Sequence, residues 1–290
     1  SICERENIYG SKIILHSSKR RNALHSFFFV YHDITMKFSF LNPVAYIFMV
    51  TLNALSITIP LGGKTNQDIS DMYVNPFTPI GFTFSIWSVI YTLLLIFSVI
   101  PFINTLRGKE PKNKLVNKNI GYLYATSCLL NGLWILAWQY QHVGLSVIVM
   151  LGLLVTLIKT HIELRKNTTA LTWSDKYITF PAFSIYLGWI SVATIANITA
   201  WTVSIGWSGW GISMIDWTNI MVVVATLLGT TLLLKYRDVF FNLVIIWALY
   251  GIMSKRMAVG PLEFASIITT TQICMAFIAG AMTTTILKKK

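Results

Sequence analysis

Ile178-Thr-Phe-Pro-Ala-Phe-Ser-Ile-Tyr-Leu-Gly-Trp-Ile-Ser-Val-Ala-Thr-Ile-Ala-Asn-Ile-Thr-Ala-Trp-Thr202 contains no Asp, Glu, Lys, Arg or His. A bilayer core about 30 Å thick needs about 20 such residues in one helix. Similar apolar runs lie at about 43–61, 79–103, 119–140, 142–160, 217–234, 239–253 and 264–287. In hydrocarbon every backbone N–H and C=O must be paired within the segment, and these runs are too long for barrel strands. The sequence therefore predicts an all-α protein, a polytopic membrane helix bundle of about eight transmembrane helices. The seventh run is short. It either extends past Lys255 and Arg256 by snorkelling or inserts only in part.

The composition agrees. Hydrophobic residues make up 54% of the 290-residue chain and charged residues only 12%, against roughly 25% charged in a soluble domain. A soluble enzyme is excluded by this balance, and disorder by the 13% aromatic content. The net charge of +12 does not point to nucleic acid, because no folded basic domain carries it. Its cations sit in the N-terminal tail and in short loops. Arg107, Lys109, Lys112, Lys114 and Lys118 follow the second run, Arg165, Lys166 and Lys176 the fourth, Lys235 and Arg237 the sixth, and Lys288–Lys290 end the chain. The alternate loops are poor in cations: 62–78 has Lys64 with Asp68 and Asp71, and 203–216 has only Asp216. With eight crossings, this bias predicts both termini on the cytoplasmic side. Lys255 and Arg256 are the conflict.

Residues 1–40 form a basic N-terminal tail, readable as a transit peptide or as a poorly ordered segment, with Met36-Lys37 as an alternative start. Asn167-Thr-Thr and Asn197-Ile-Thr match the glycosylation pattern. The first falls inside in this topology and the second within a span, so neither is expected to be modified.

Catalytic patterns are missing. Cys3, Cys128 and Cys274 form no CxxC pair. Charged side chains are absent from mid-span, which disfavours a proton relay or voltage sensor. His142 and His161 lie near opposite ends of the fourth run, where they read as interfacial histidines; roughly 28 Å apart as a helix, they cannot share a metal or haem. No catalytic residue and no metal ligand is predicted. The remaining polar groups are amides such as Asn53, Asn131 and Asn197. Each either bonds helices together or orients a ligand in a shared cavity. Ten tryptophans are present. Trp173, Trp207, Trp210 and Trp217 suit an interfacial belt. Trp87, Trp134, Trp189 and Trp247 lie deeper, as packing or as pocket walls.

Three spacings recur in order: Pro79, Trp87 and Tyr91 on the second run, Asn131 and Trp134 on the third, and Tyr186, Trp189 and Asn197 on the fifth. Together they resemble the TspO/translocator protein family, also called tryptophan-rich sensory proteins, over about residues 43–202. The resemblance implies a five-helix unit, here 41–204; the three additional helices (205–290) exceed the family's usual five and make this an extended form. The resemblance also implies that the loop between the first two helices, here Lys64–Ile80 with Pro76 and Pro79 at its rigid end, folds over a pocket for porphyrins, sterols or similar molecules. By position, Pro79, Trp87, Tyr91, Asn131, Trp134, Tyr186, Trp189 and Asn197 are the ligand-binding expectation. Besides these extra helices, the chain departs from the family pattern in two places. Phe82 stands near where a loop Trp is expected, and no Tyr-then-Arg tail of sterol-binding members follows Asn197.

The function implied is binding of a flat hydrophobic ligand, a tetrapyrrole or similar molecule, for sensing or transport, in contact with the lipid bilayer. Two alternatives stay open: a structural subunit of a larger membrane assembly, or a homodimer of that kind, and a light-dependent porphyrin-degrading activity. No cofactor is certain; a bound tetrapyrrole or lipid is the candidate. The three last helices carry small and hydroxylated residues (Thr269–Thr271, Gly280, Ala281 and Thr283), suited to close helix approach in or between chains.

Overall fold

The structure is a computed structural model that describes residues 38–59, 61–109, 114–166 and 172–287, without the side chains of 114–119. Residues 1–37 of the basic tail, the Asn167 glycosylation pattern and Lys288–Lys290 lie outside the described residues, and residues 38–40 of the tail are the first turn of a helix.

Every described apolar run is a helix. α1 spans Phe38–Thr58 and a short α2 Asn66–Met72. α3 spans Ile86–Leu106, entered through a 3-10 turn at Gly81–Ser85. α4 is Lys114–Gln139, α5 Val143–Lys166, and α6 Phe180–Ser204 after a π turn at Asp175–Thr179. α7 is Met214–Tyr236, α8 Val239–Val259 and α9 Ala265–Leu287. Among the described residues, eight helices are long and apolar enough to cross a membrane: α1 and α3 to α9. No strand occurs among them.

α8 settles the length of the seventh run. It continues six residues beyond Met253, to Val259. Lys255 and Arg256 lower the hydropathy there but do not end the helix, because each has a place. Lys255 pairs with Asp71. Arg256 is buried, with its guanidinium 4.8 Å from the centre of the Phe264 ring, a favourable cation–π distance.

α6 is the most enclosed of the spanning helices and packs on α3, α5, α7 and α8. Its Gly188 lets α8 approach. A Cβ there would lie 3.0 Å from Val244 Cβ and 3.2 Å from the Phe241 carbonyl oxygen. Outward faces are apolar, as at Ile148 on α5 and Leu234 on α7. A membrane-embedded helix needs such faces.

At the end of the bundle that carries the α7–α8 turn, Asp238 is buried. It caps α8 by accepting from the Phe241 N–H. It also accepts from the Ser184 hydroxyl at 2.7 Å and from Arg165 Nη2 at 2.9 Å, and His161 Nδ1 lies 3.6 Å away. One carboxylate thus joins α5, α6 and α8. His161, expected at an interface, is buried in this cluster.

The segment before α3 is pinned to α8. The Ile80 N–H donates to the Gly251 carbonyl at 3.0 Å. Trp247 Nε1 donates to the Thr83 carbonyl at 2.9 Å. Gly251 is obligatory for this contact, since a Cβ would lie 2.1 Å from Thr83 Oγ1. Gly251→Ala is predicted to cost about 1–3 kcal/mol by overpacking. Gly280→Ala, where nothing lies within 4 Å of the new Cβ, should be neutral. Thermal unfolding in one detergent checks the pair: only the Gly251 variant should melt lower.

Candidate functional site

The walls of the site follow from helical spacing. Trp87 and Tyr91 are four residues apart on α3, so both rings lie on one face, and they stack with centroids 5.2 Å apart and planes 18° apart. Trp134 and Trp138 repeat this on α4, 6.2 Å apart at 18°. Trp189 on α6 meets Trp87 edge-on at 6.2 Å, and Tyr186 meets it edge-on at 6.0 Å. Trp87 is therefore the centre of an aromatic box built from three helices.

A cavity of about 510 Å³ lies beside this box, within the range of ordinary small-molecule sites. Six of the eight expected residues line it: Pro79, Trp87, Tyr91, Trp134, Trp189 and Asn197. The structure places Asn131 and Tyr186 behind the wall, both fully buried. Asn131 Nδ2 donates to the Tyr186 hydroxyl at 3.0 Å, and its Oδ1 accepts from Asn53 Nδ2 at 2.7 Å. Asn53 itself reaches the cavity. A second lattice holds the next turn: Trp134 Nε1 donates to Asn197 Oδ1 at 3.0 Å, and Asn197 Nδ2 donates to Ser146 Oγ at 2.8 Å. The amides therefore do both things the sequence left open. They bond α1, α4, α5 and α6 together, and Asn53 and Asn197 also present surface to the cavity.

The α1–α3 loop forms the roof. α2 begins in a capping box: the Thr65 hydroxyl accepts from the Asp68 N–H while Asp68 Oδ2 accepts from the Thr65 N–H. The bond from the Thr65 hydroxyl, then that from its N–H, holds the Asp68 carboxyl below its ordinary pKa of 3.8. Asn66 ties the roof to α4, accepting from Gln139 Nε2 at 2.7 Å on its side chain and from Trp138 Nε1 at 3.4 Å on its carbonyl. Gly62 donates its N–H to Gln139 Oε1 at 3.3 Å. On the other flank Asp71 pairs with Lys255 of α8.

Sequence reasoning missed Trp138, Asn66 and Gln139. Trp138 was findable, being four residues after Trp134. The two amides carried no local signal, because their pairing spans 73 residues. Phe82 does not take the place of a roof aromatic: it is 44% exposed and packs on Trp247 and Tyr250 of α8. Trp247 belongs to that contact and does not line the cavity. The described residues hold no cluster of His, Cys, Asp or Glu able to bind a metal.

No curated protein and no solved structure matches the chain. A family model described as TSPO-like protein matches residues 39–284. That range reaches from the first turn of α1 into the last turn of α9, so α7, α8 and α9 fall within the family's own extent. By this match, which covers most of its length, the chain belongs to the TSPO-like protein family.

Proposed function

We propose that the protein holds a flat, hydrophobic ligand, a tetrapyrrole or a molecule of similar shape, in the cavity beneath the α1–α3 loop, and that opening of this roof admits and releases it for sensing or transport. The observation that carries this reading is the box around Trp87. Stacked and edge-on rings from three helices border one cavity and offer broad apolar faces to a planar molecule. Pro79, Trp87, Tyr91, Trp134, Trp189 and Asn197 are its contacts. Asn131 and Tyr186 act from behind by fixing the position of α4 against α6.

The roof suits exchange. Apart from the buried Ile69 and Phe77, it is held by a few polar bonds at its flanks, each worth about 0.5–1.5 kcal/mol, and such loops are drawn from the segments that open locally before the bundle does. We further propose that the roof faces away from the cytoplasmic side, since the cation-rich loops lie at the other end.

The test is a fluorescence titration in lipid nanodiscs with protoporphyrin IX, its dimethyl ester and a sterol. Tryptophan quenching by at least one of them should saturate. Ala196 lines the cavity, so Ala196→Phe should fill it and weaken that binding at least tenfold while the protein still melts cooperatively. Non-saturating curves for every ligand, or an unchanged affinity in the folded variant, would refute the proposal.

A further inference from the structure

The charge distribution around this cavity goes a step further and rests on the reading just given. Among the described residues, no Lys, Arg, His, Asp or Glu lines the cavity. Its unmet polarity is dipolar. Three side chains on its wall carry a buried atom without a hydrogen-bond partner: Trp189 Nε1, a donor; Tyr91 Oη, a donor or acceptor; and Gln67 Oε1, an acceptor. None can neutralise a formal charge.

The described cations of the rim stand off the cavity wall as well. Because the spanning helices alternate in direction, the α1–α3 loop, the start of α7 and the α8–α9 turn lie at one end of the bundle. The described cations at that end are Lys64, Lys255 and Arg256; the acids are Asp68, Asp71, Asp216 and Glu263. Lys255 is paired with Asp71. Lys64 is exposed and donates to Met72 Sδ at 3.3 Å, and Arg256 is buried against the Phe264 ring; neither lines the cavity. His142, exposed at this end, lines no part of the cavity. Among the described residues, the excess of positive charge lies at the opposite end, with Arg107, Arg165, Lys235 and Arg237. An anion approaching the roof therefore meets four acids against three cations, and inside it finds only neutral dipoles. A carboxylate taken from water into such a site loses its hydration, and neutral donors without an opposite charge replace it only in part.

We propose that the cavity selects an electrically neutral ligand: a planar or polycyclic hydrophobe whose polar groups are carbonyls, esters or hydroxyls rather than free carboxylates. A tetrapyrrole would enter esterified or otherwise uncharged, and the free dicarboxylic acid would be the weaker ligand. The neutral lining acts as the filter.

The experiment compares protoporphyrin IX with its dimethyl ester at pH 7, in nanodiscs of uncharged lipid, with partitioning into protein-free discs subtracted. The ester should bind at least tenfold more tightly than the diacid. Gln67→Lys, which places a cation on the cavity wall, should raise the diacid's affinity relative to that of the ester about fivefold to tenfold. Equal or tighter binding of the diacid to the wild type overturns the selection for neutral ligands and leaves the binding function standing. So does a Gln67→Lys variant that melts like the wild type and leaves the diacid's affinity relative to the ester's unchanged. If neither porphyrin binds and only the sterol saturates, selection among tetrapyrroles is overturned while the cavity keeps its function. If nothing binds, the function itself fails and takes this inference with it.

Discussion

Asn131 is the contact on which the site depends. It is fully buried, and it joins Asn53 of α1 to Tyr186 of α6 through one side chain. In a bilayer the apolar faces of helices gain little by meeting each other, since lipid is as apolar as they are. Specific geometry must come from close packing and from polar groups that have no other partner. Here the Asn53–Asn131–Tyr186 chain and the Trp134–Asn197–Ser146 chain set α1, α4, α5 and α6 at fixed distances. The rings of Trp87, Trp134 and Trp189 then border a cavity instead of collapsing on each other. Each such bond contributes about 0.6–2 kcal/mol. Their larger effect is to exclude other registers, because a slipped helix would leave an amide in hydrocarbon.

The three C-terminal helices extend this frame and also reach the roof. Asp238 ties α8 to α5 and α6 at one end. At the other end α8 presents Gly251, Trp247 and Lys255 to the segment that covers the cavity. The roof is thus held from α4 on one flank and from α8 on the other. A five-helix unit alone would keep the first tie and lose the second.

Much of this was legible in the sequence, for stated reasons. Apolar runs longer than a bilayer is thick identify spanning helices whatever their neighbours. The four-residue spacing of Trp87 and Tyr91 puts them on one face before any fold is known. The alternation of basic and cation-poor loops foreshadows which end carries the roof. What was hidden depends on distant partners. α8 reads short because Lys255 and Arg256 depress hydropathy, and only Asp71 and Phe264 explain why the helix continues. His161 reads as interfacial because nothing near it in sequence announces Asp238. Asn131 and Tyr186 fit the same spacing rules as the lining residues, yet they face each other behind the wall; helix rotation decided that.

The account stands on the claim that the α1–α3 loop closes a cavity in the bundle, and labelling kinetics test it most directly. Ala193 lines the cavity, and Ala193→Cys can be followed with a small maleimide by peptide mass spectrometry, with Leu262→Cys, 93% exposed, as the open reference. Gln139→Leu removes the ties to Asn66 and Gly62 without touching α6. Position 193 should react at least tenfold more slowly than position 262, and Gln139→Leu should speed position 193 alone. Fast labelling at 193 with the roof intact, or a rate that Gln139→Leu leaves unchanged, would contradict a cavity closed by this loop.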